Sequence, residues 1–225
     1  MTTQREIKNL LYEQVARIGK AAASPKRLEL VELLCQGEKT VESLSRQAEL
    51  DVKSASAHLK ELKAARLVVA RKEGKYVHYR LADATVGRFW VALRTLAEGR
   101  LLELQEVVTE FLADPRQLAS LDRKTILGRA RQGDVIVLDV RPADEFEAGH
   151  LPYARSIPVS ELKKRLSELP RNKDIVAYCR GPFCLMASDA VALLRQKGFR
   201  AGRLEDGVAE WRSAGLPIEP GAAAP

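Results

Sequence analysis

The chain has 225 residues, with 37 Lys and Arg against 30 Asp and Glu, for a formal net charge of +7. Its 46% hydrophobic and 30% charged residues suit a soluble globular protein with room for two domains, and exclude a disordered chain. No stretch is long and apolar enough to span a bilayer, MTTQREIKNL lacks the layout of a secretory leader, and Cys35, Cys179 and Cys184 are too few for a disulfide scaffold. A cytoplasmic protein with no membrane partner is therefore expected.

The charge is concentrated. Lys53, Lys60, Lys63, Arg66, Arg71, Lys72, Lys75 and Arg80 fall in one stretch, opposed only by Glu61 and Glu73. Such an excess suits a polyanion, although charge alone slightly favours a solvated helix face and hairpin.

In chain order, Ile7, Leu10, Leu11, Val15 and Ile18 follow helical spacing. Ser24-Pro25 reads as a helix start, an N-cap hydroxyl followed by proline at the first helical position. Leu28, Val31 and Leu34 continue that apolar face, and Gly37 closes it. Thr40 caps a short helix carrying Val41, Leu44 and Ala48. Asp51 caps a third helix, roughly Val52 to Ala65. Its predicted buried stripe is Val52, Ala55, Leu59 and Leu62, opposite Lys53, Ser54, Ala57, Lys60 and Glu61. VVARKEGKYVHYRL reads as a β-hairpin turning at Glu73-Gly74.

One long helix is predicted from Thr85 to Leu112. Its apolar band, which includes Phe89, Trp90, Leu93, Leu104 and Phe111, is broad enough to predict packing against a second subunit. Asp114-Pro115 ends it and divides a domain over 1–114 from one over 115–225.

Two short helices, a basic helix and a charged hairpin make a winged helix-turn-helix, whose helix fits the major groove while its wing follows phosphates. The segments SPKRLELVELL, VKSASAHLKELKAARLV and ARKEGKYVHYRL resemble the ArsR/SmtB family of bacterial repressors. The resemblance implies a homodimer on a palindromic double-stranded DNA operator. Lys53, Ser54 and Ala57 are candidates for base edges, and Ser56, Lys60 and Lys63 for phosphates. Arg71, Lys72 and Lys75 belong to the wing, and His58 lies on the helix flank. The Cys-x-Cys pair that many members carry before the recognition helix is replaced by TVESLSRQA, and DATVGRFWVALRTLAE has no His or Cys. No metal and no cofactor are expected there. Cys35 reads as a small buried apolar side chain.

The second half changes to strands alternating with helices. Val135–Leu138 and Ile175–Tyr178 are continuous apolar runs like central parallel strands, with helices near Arg123–Arg131, Glu161–Glu168 and Leu185–Lys197. The predicted fold class is thus a mainly α winged helix-turn-helix domain followed by an α/β domain with a mainly parallel sheet. Cys179 falls between a strand and a helix, where loop N–H groups and the positive helix end favour a thiolate, so a depressed thiol pKa is expected there.

LDVRPADEFEAGHLPYARSIP, AYCRGPFC and GVAEWRSAGLPI resemble the rhodanese family. The resemblance implies sulfane-sulfur transfer from a donor such as thiosulfate or a persulfide, through a persulfide on Cys179, with Arg180 beside it to bind the anionic donor. Asp139, Arg141 and His150 are implied to brace the loops. The loop departs from the Cys-x-x-Gly-x-Arg pattern of many rhodaneses, since glycine comes one position early and Cys184 stands in place of the arginine. Cys184 becomes a candidate partner for the Cys179 sulfur. Three readings stay open: a sulfur-responsive regulator, a sulfurtransferase whose DNA-binding half controls its own operon without chemical coupling, and a repressor whose rhodanese domain only binds a partner or stabilises the dimer.

Overall fold

The computed structural model describes residues 2–112 and 123–221. The Asp114-Pro115 boundary and the last four residues lie outside them. The chain divides into two compact units, Met1–Trp90 and Val91–Pro225.

In the first unit, α1 (Gln4–Ala22) opens with a capping box in which Thr3 and Glu6 satisfy each other's backbone N–H groups. The next helix, α2 (Pro25–Cys35), starts where Ser24-Pro25 predicts. The Ser24 hydroxyl makes no cap hydrogen bond, however, so proline's fixed φ carries that start. Then follow β1 (Lys39–Thr40) and α3 (Val41–Gln47), capped by Thr40 through the Ser43 N–H at 3.2 Å. α4 (Val52–Ala64) is capped by Asp51.

The hairpin is β2 (Val68–Glu73) and β3 (Tyr76–Leu81), and the antiparallel sheet runs β1-β3-β2. Glu73 pairs with Tyr76, so the turn is Gly74-Lys75, one residue later than predicted, with Gly74 at φ +57°. Leu30, Leu44, Leu59 and Leu62 are fully buried in the core. Val52 departs from the predicted stripe and is 48% exposed. Helical side chains lean toward the N-terminus, so one at the first position projects past the helix end.

The predicted single helix from Thr85 to Leu112 is instead two, α5 (Ala84–Arg100) and α6 (Leu102–Phe111), parted at Leu101 with φ −100° and ψ 109°. Gly99 weakens the helix just before the break, and the Gln105 side-chain amide donates to the Glu98 carbonyl at 2.7 Å, satisfying an acceptor near the freed end.

The rest of the second unit follows as α7 (Arg123–Gln132), β4 (Val135–Asp139), α8 (Ala143–Ala148), β5 (Arg155–Ser156) and α9 (Val159–Leu162). After a 3₁₀ turn at Leu166–Glu168 come β6 (Asp174–Tyr178), α10 (Met186–Gln196), β7 (Ala201–Arg203) and α11 (Val208–Ser213). The predicted helix over Glu161–Glu168 is thus divided between α9 and the 3₁₀ turn. The sheet order is β5-β4-β6-β7, every pair parallel, with Asp139 opposite Tyr178.

Alternate residues of the central strands serve two cores. Ile136, Leu138, Ile175 and Ala177 face one together with Cys179, while Val135, Val137, Val176 and Tyr178 face the other with Trp211. Continuous apolar runs are what a sheet covered on both faces demands. Cys179 therefore stands just beyond the carboxyl end of a central strand, where open parallel sheets place their ligand sites.

Candidate functional site

On α4, burial of Ala55, Leu59 and Leu62 turns Lys53, Ala57, Lys60 and Lys63 to solvent, with Ser54, Ser56 and His58 half-buried at the flanks. Ser54 is already engaged. Its N–H donates to Asp51 Oδ1 at 2.8 Å and its hydroxyl to Asp51 Oδ2 at 2.6 Å, and these bonds hold the Asp51 carboxyl below its usual range. Any contact from Ser54 to a base edge is thus left to its acceptor lone pairs.

In the wing, Lys72 and Lys75 are exposed. Arg71 is held by two carboxylates, with Nη2 2.5 Å from Glu38 Oε1 and Nη1 on Glu73. A phosphate would have to compete with both. Glu38 escaped sequence reasoning because it meets the wing from 33 positions away, with no local pattern to announce it.

The second site is the loop from Cys179 to Leu185, between β6 and α10. Gly181 sits at φ +154°, a backbone conformation that favours glycine, and the Cys184 N–H donates to its carbonyl at 3.1 Å. The bend brings the two cysteines together. The Cys179 thiol donates to the Cys184 carbonyl at 3.3 Å, and the two thiols perturb each other's ionisation. Backbone N–H groups of Gly181 and Ala187 point at the Cys179 sulfur, and those of Arg180 and Met186 at the Cys184 sulfur. Both sulfurs thus share the positive end of α10.

This overturns one expectation. Burial first, then the interaction with Cys184, pushes the Cys179 thiol well up. The depressed thiol is Cys184, drawn down to about 6 chiefly by the interaction with Cys179, against the opposing effect of burial, with the two N–H groups and the Arg180 charge assisting. A pair of adjacent thiols loses its first proton where the charge is best solvated. Position in the sequence does not show which thiol that is.

The expected anion binder Arg180 is also engaged. Its Nη2 lies 2.7 Å and its Nε 3.0–3.1 Å from the buried Glu145 carboxylate. Gly207 backs directly onto the loop, since a Cβ there would stand 2.5 Å from the Arg180 carbonyl oxygen and 2.7 Å from that of Cys179. The Gly207 N–H donates to Glu210 Oε2 at 2.7 Å, Arg94 Nη1 meets Glu210 Oε1 at 2.7 Å, and the Arg94 guanidinium stands 5.7 Å from the Phe183 ring centroid. Arg203, 9% exposed, donates to the Gly181 and Pro182 carbonyls.

Sequence reading gave no role to Glu145, Arg94, Arg203, Gly207 or Glu210. Glu145, Gly207 and Glu210 lie inside the two outer motifs, which was the only signal they carried.

Asp139, Arg141 and His150 lie in a network of close contacts around β4 and α8. The Arg141 guanidinium grips Asp139, both side chains fully buried, and the Tyr178 hydroxyl donates to Asp139 Oδ2 at 2.5 Å. Arg141 also reaches the Gly149 carbonyl at 2.9 Å, and His150 stacks on Phe146 with ring centroids 3.7 Å apart. Cys35 is buried in the first unit. Among the described residues no group of three or more His, Cys, Asp or Glu is gathered to hold a metal ion, and no helix is long and apolar enough to cross a membrane.

Fold and site together define the class, a winged helix-turn-helix unit and a rhodanese-like unit in one chain. The family model described as bacterial regulatory protein, arsR family, matches residues 24–69, and that of the rhodanese-like domain matches residues 122–214. The chain is 42% identical over 222 residues, 99% of its own length and 97% of the relative's, to the HTH-type transcriptional regulator Rv0324 of Mycobacterium tuberculosis. It belongs to this family of ArsR-type transcriptional regulators that carry a rhodanese-like domain. A sulfurtransferase of Allochromatium vinosum is 36% identical over 86 residues, 38% of this chain and 78% of that protein. A solved homodimeric winged helix-turn-helix DNA-binding domain (fragment 1–100) from Mycobacterium bovis is 40% identical, covering 45% of this chain and 94% of its own, with a TM-score of 0.42.

Proposed function

We propose that this regulator is sulfur-responsive. It binds a palindromic operator as a homodimer, takes sulfane sulfur from a persulfide or thiosulfate donor at the Cys179–Cys184 loop, holds it as a persulfide on Cys179, and thereby alters its grip on DNA in a reducing cytoplasm. The observation that carries the reading is the pair of cysteines brought together at the N-terminus of α10, the Cys179 thiol donating to the Cys184 carbonyl at 3.3 Å. A simple transferase needs one thiol. A second within reach offers a disulfide as an alternative end state, which changes both charge and loop shape.

The dimer is supported by apolar surface the chain leaves uncovered. Ile7, Leu10, Leu11, Tyr12 and Val15 on α1 are 49–68% exposed, as are Leu102 and Phe111 on α6 at 69% and 63%. Patches of that kind mark interaction surfaces, and a palindromic operator supplies the two-fold symmetry that a second copy would match.

The test is a DNA-binding titration of wild type and Cys179→Ser, each with and without polysulfide. Wild-type affinity shifts on treatment and that of the variant does not. An unchanged wild-type affinity, with sulfur found on Cys179, would favour the second reading, a working sulfurtransferase with uncoupled DNA binding. The identity with the Allochromatium vinosum sulfurtransferase supports that alternative.

A further inference from the structure

We propose that Cys184, rather than Cys179, is the thiol that first attacks the sulfane-sulfur donor, and that it then hands the sulfur inward to Cys179. The inference rests on the sulfur-handling reading above and assigns the order of events within the loop.

Access comes first. Cys179 is 2% exposed, packed in the core with Ile175, Ala177 and Ala187, and its thiol hydrogen points at the Cys184 carbonyl. Attack on a sulfur–sulfur bond requires the nucleophile, the attacked sulfur and the leaving sulfur to lie nearly in line, so the donor needs open space in front of the attacking atom. Cys184 is only half-buried, and Leu185 beside it is 54% exposed. The donor therefore meets Cys184 from solvent, with Cys179 behind it.

The proton inventory points the same way. The Cys179 thiol spends its single hydrogen on the Cys184 carbonyl, which keeps that proton on. With its thiol drawn down to about 6, Cys184 is mostly thiolate at neutral pH, while Cys179 is not. Arg180, anchored by Glu145, adds its charge on the Cys184 side.

With a persulfide donor RS–SH, the Cys184 thiolate bonds to the outer sulfur, the donor S–S bond breaks, and RS⁻ leaves with the electron pair. Cys184 then carries S–SH. Cys179 next attacks that outer sulfur. Its own proton passes to the departing Cys184 sulfur, leaving Cys179–S–SH and Cys184–SH with no net redox change. Leaving groups of lower pKa depart faster, and Cys184, the lower of the two thiols, is therefore the better leaving sulfur in the inward hand-off. If Cys179 attacks the inner sulfur instead, a Cys179–Cys184 disulfide forms and H₂S leaves, the sulfane sulfur being the oxidant.

The experiment maps sulfur by mass spectrometry on the full chain after brief treatment with a low-molecular-weight persulfide. In Cys179→Ser the added sulfur accumulates on Cys184. In Cys184→Ser the initial rate of sulfur appearance on Cys179 falls at least about tenfold. On wild type, which carries no risk of misfolding, iodoacetamide at pH 6 labels Cys184 at least about tenfold faster than Cys179. Sulfur reaching Cys179 at the wild-type rate in Cys184→Ser, or Cys179 labelling first, overturns the order while leaving the sulfur-handling reading intact. Sulfur on neither cysteine in wild type overturns both.

Discussion

Arg94 Nη1 meets Glu210 Oε1 at 2.7 Å with the two side chains only 4% and 3% exposed. Glu210 uses its other oxygen to hold the Gly207 N–H. Removing one partner of a buried ion pair leaves an uncompensated charge, whereas replacing both with apolar groups is often neutral. Glu210→Leu is expected to cost about 1–3 kcal/mol, less than a fully orphaned charge because Arg94 Nε keeps Glu98 Oε1 at 3.3 Å, and the double variant Arg94→Met, Glu210→Leu to recover part of that loss, the Gly207 N–H staying without its acceptor. Urea denaturation of the full chain followed by tryptophan fluorescence measures both. Equal destabilisation by the single and double variants would show that the charge pairing is not what matters there.

Gly207 is required for space rather than for conformation, since its φ of −109° is open to any residue. The added methyl of Gly207→Ala would press on the Cys179–Arg180 peptide, a backbone neighbour that cannot swing away. A loss of about 1–3 kcal/mol is expected from such overpacking, together with a change in the thiol alkylation rates at the loop. Unaltered alkylation kinetics would mean that the peptide relaxes at no cost to the site.

DNA binding should be strongly salt-dependent. If each subunit of a dimer neutralises about three phosphates, the slope of log K against log salt is about −5. Because Arg71 is already paired with Glu38 and Glu73, Arg71→Ala should reduce that slope less than Lys72→Ala or Lys75→Ala. Lys53→Ala should weaken operator binding more than binding to random duplex. Fluorescence anisotropy across a salt series reads all four proteins, and a slope equally reduced by all three wing variants would place Arg71 among the phosphate contacts.

The Glu38–Arg71 contact also makes the wing acid-sensitive. The Arg71 hydrogen bond holds the Glu38 carboxyl below the ordinary range. A carboxyl depressed in the folded state contributes stability that is fully present above its unfolded pKa, about 4.3, and is lost as pH falls through the lower folded value. Thermal unfolding of wild type and Glu38→Gln should therefore differ most near neutral pH and converge under acid. A gap that stays constant with pH would assign the effect to packing.

Local rules carried much of the fold. Proline after Ser24, the caps Thr40 and Asp51, glycine at the hairpin turn and the apolar runs of β4 and β6 are short-range instructions, satisfied by neighbours within a few residues. The break at Leu101 was not legible, because the apolar band runs through it without interruption and a single extended residue leaves no periodic trace.

The sequence by itself determined that the chain holds a basic helix-and-wing unit and a parallel α/β unit with two cysteines on one strand-to-helix loop. Residue type and spacing suffice for that, since helix caps, turns and core faces are set by local geometry. Only the tertiary structure decided which charges remain open and which thiol ionises first. Arg71 is taken up by Glu38, Arg180 by Glu145 and Arg94 by Glu210, partners 33, 35 and 116 positions away. Cys179 and Cys184 are chemically identical in sequence, and they differ because burial dominates at Cys179, while at Cys184 the interaction with Cys179, assisted by backbone N–H groups and Arg180, outweighs burial. Desolvation and Coulomb attraction act through space, so their outcome is written in the packing and not in the order of residues.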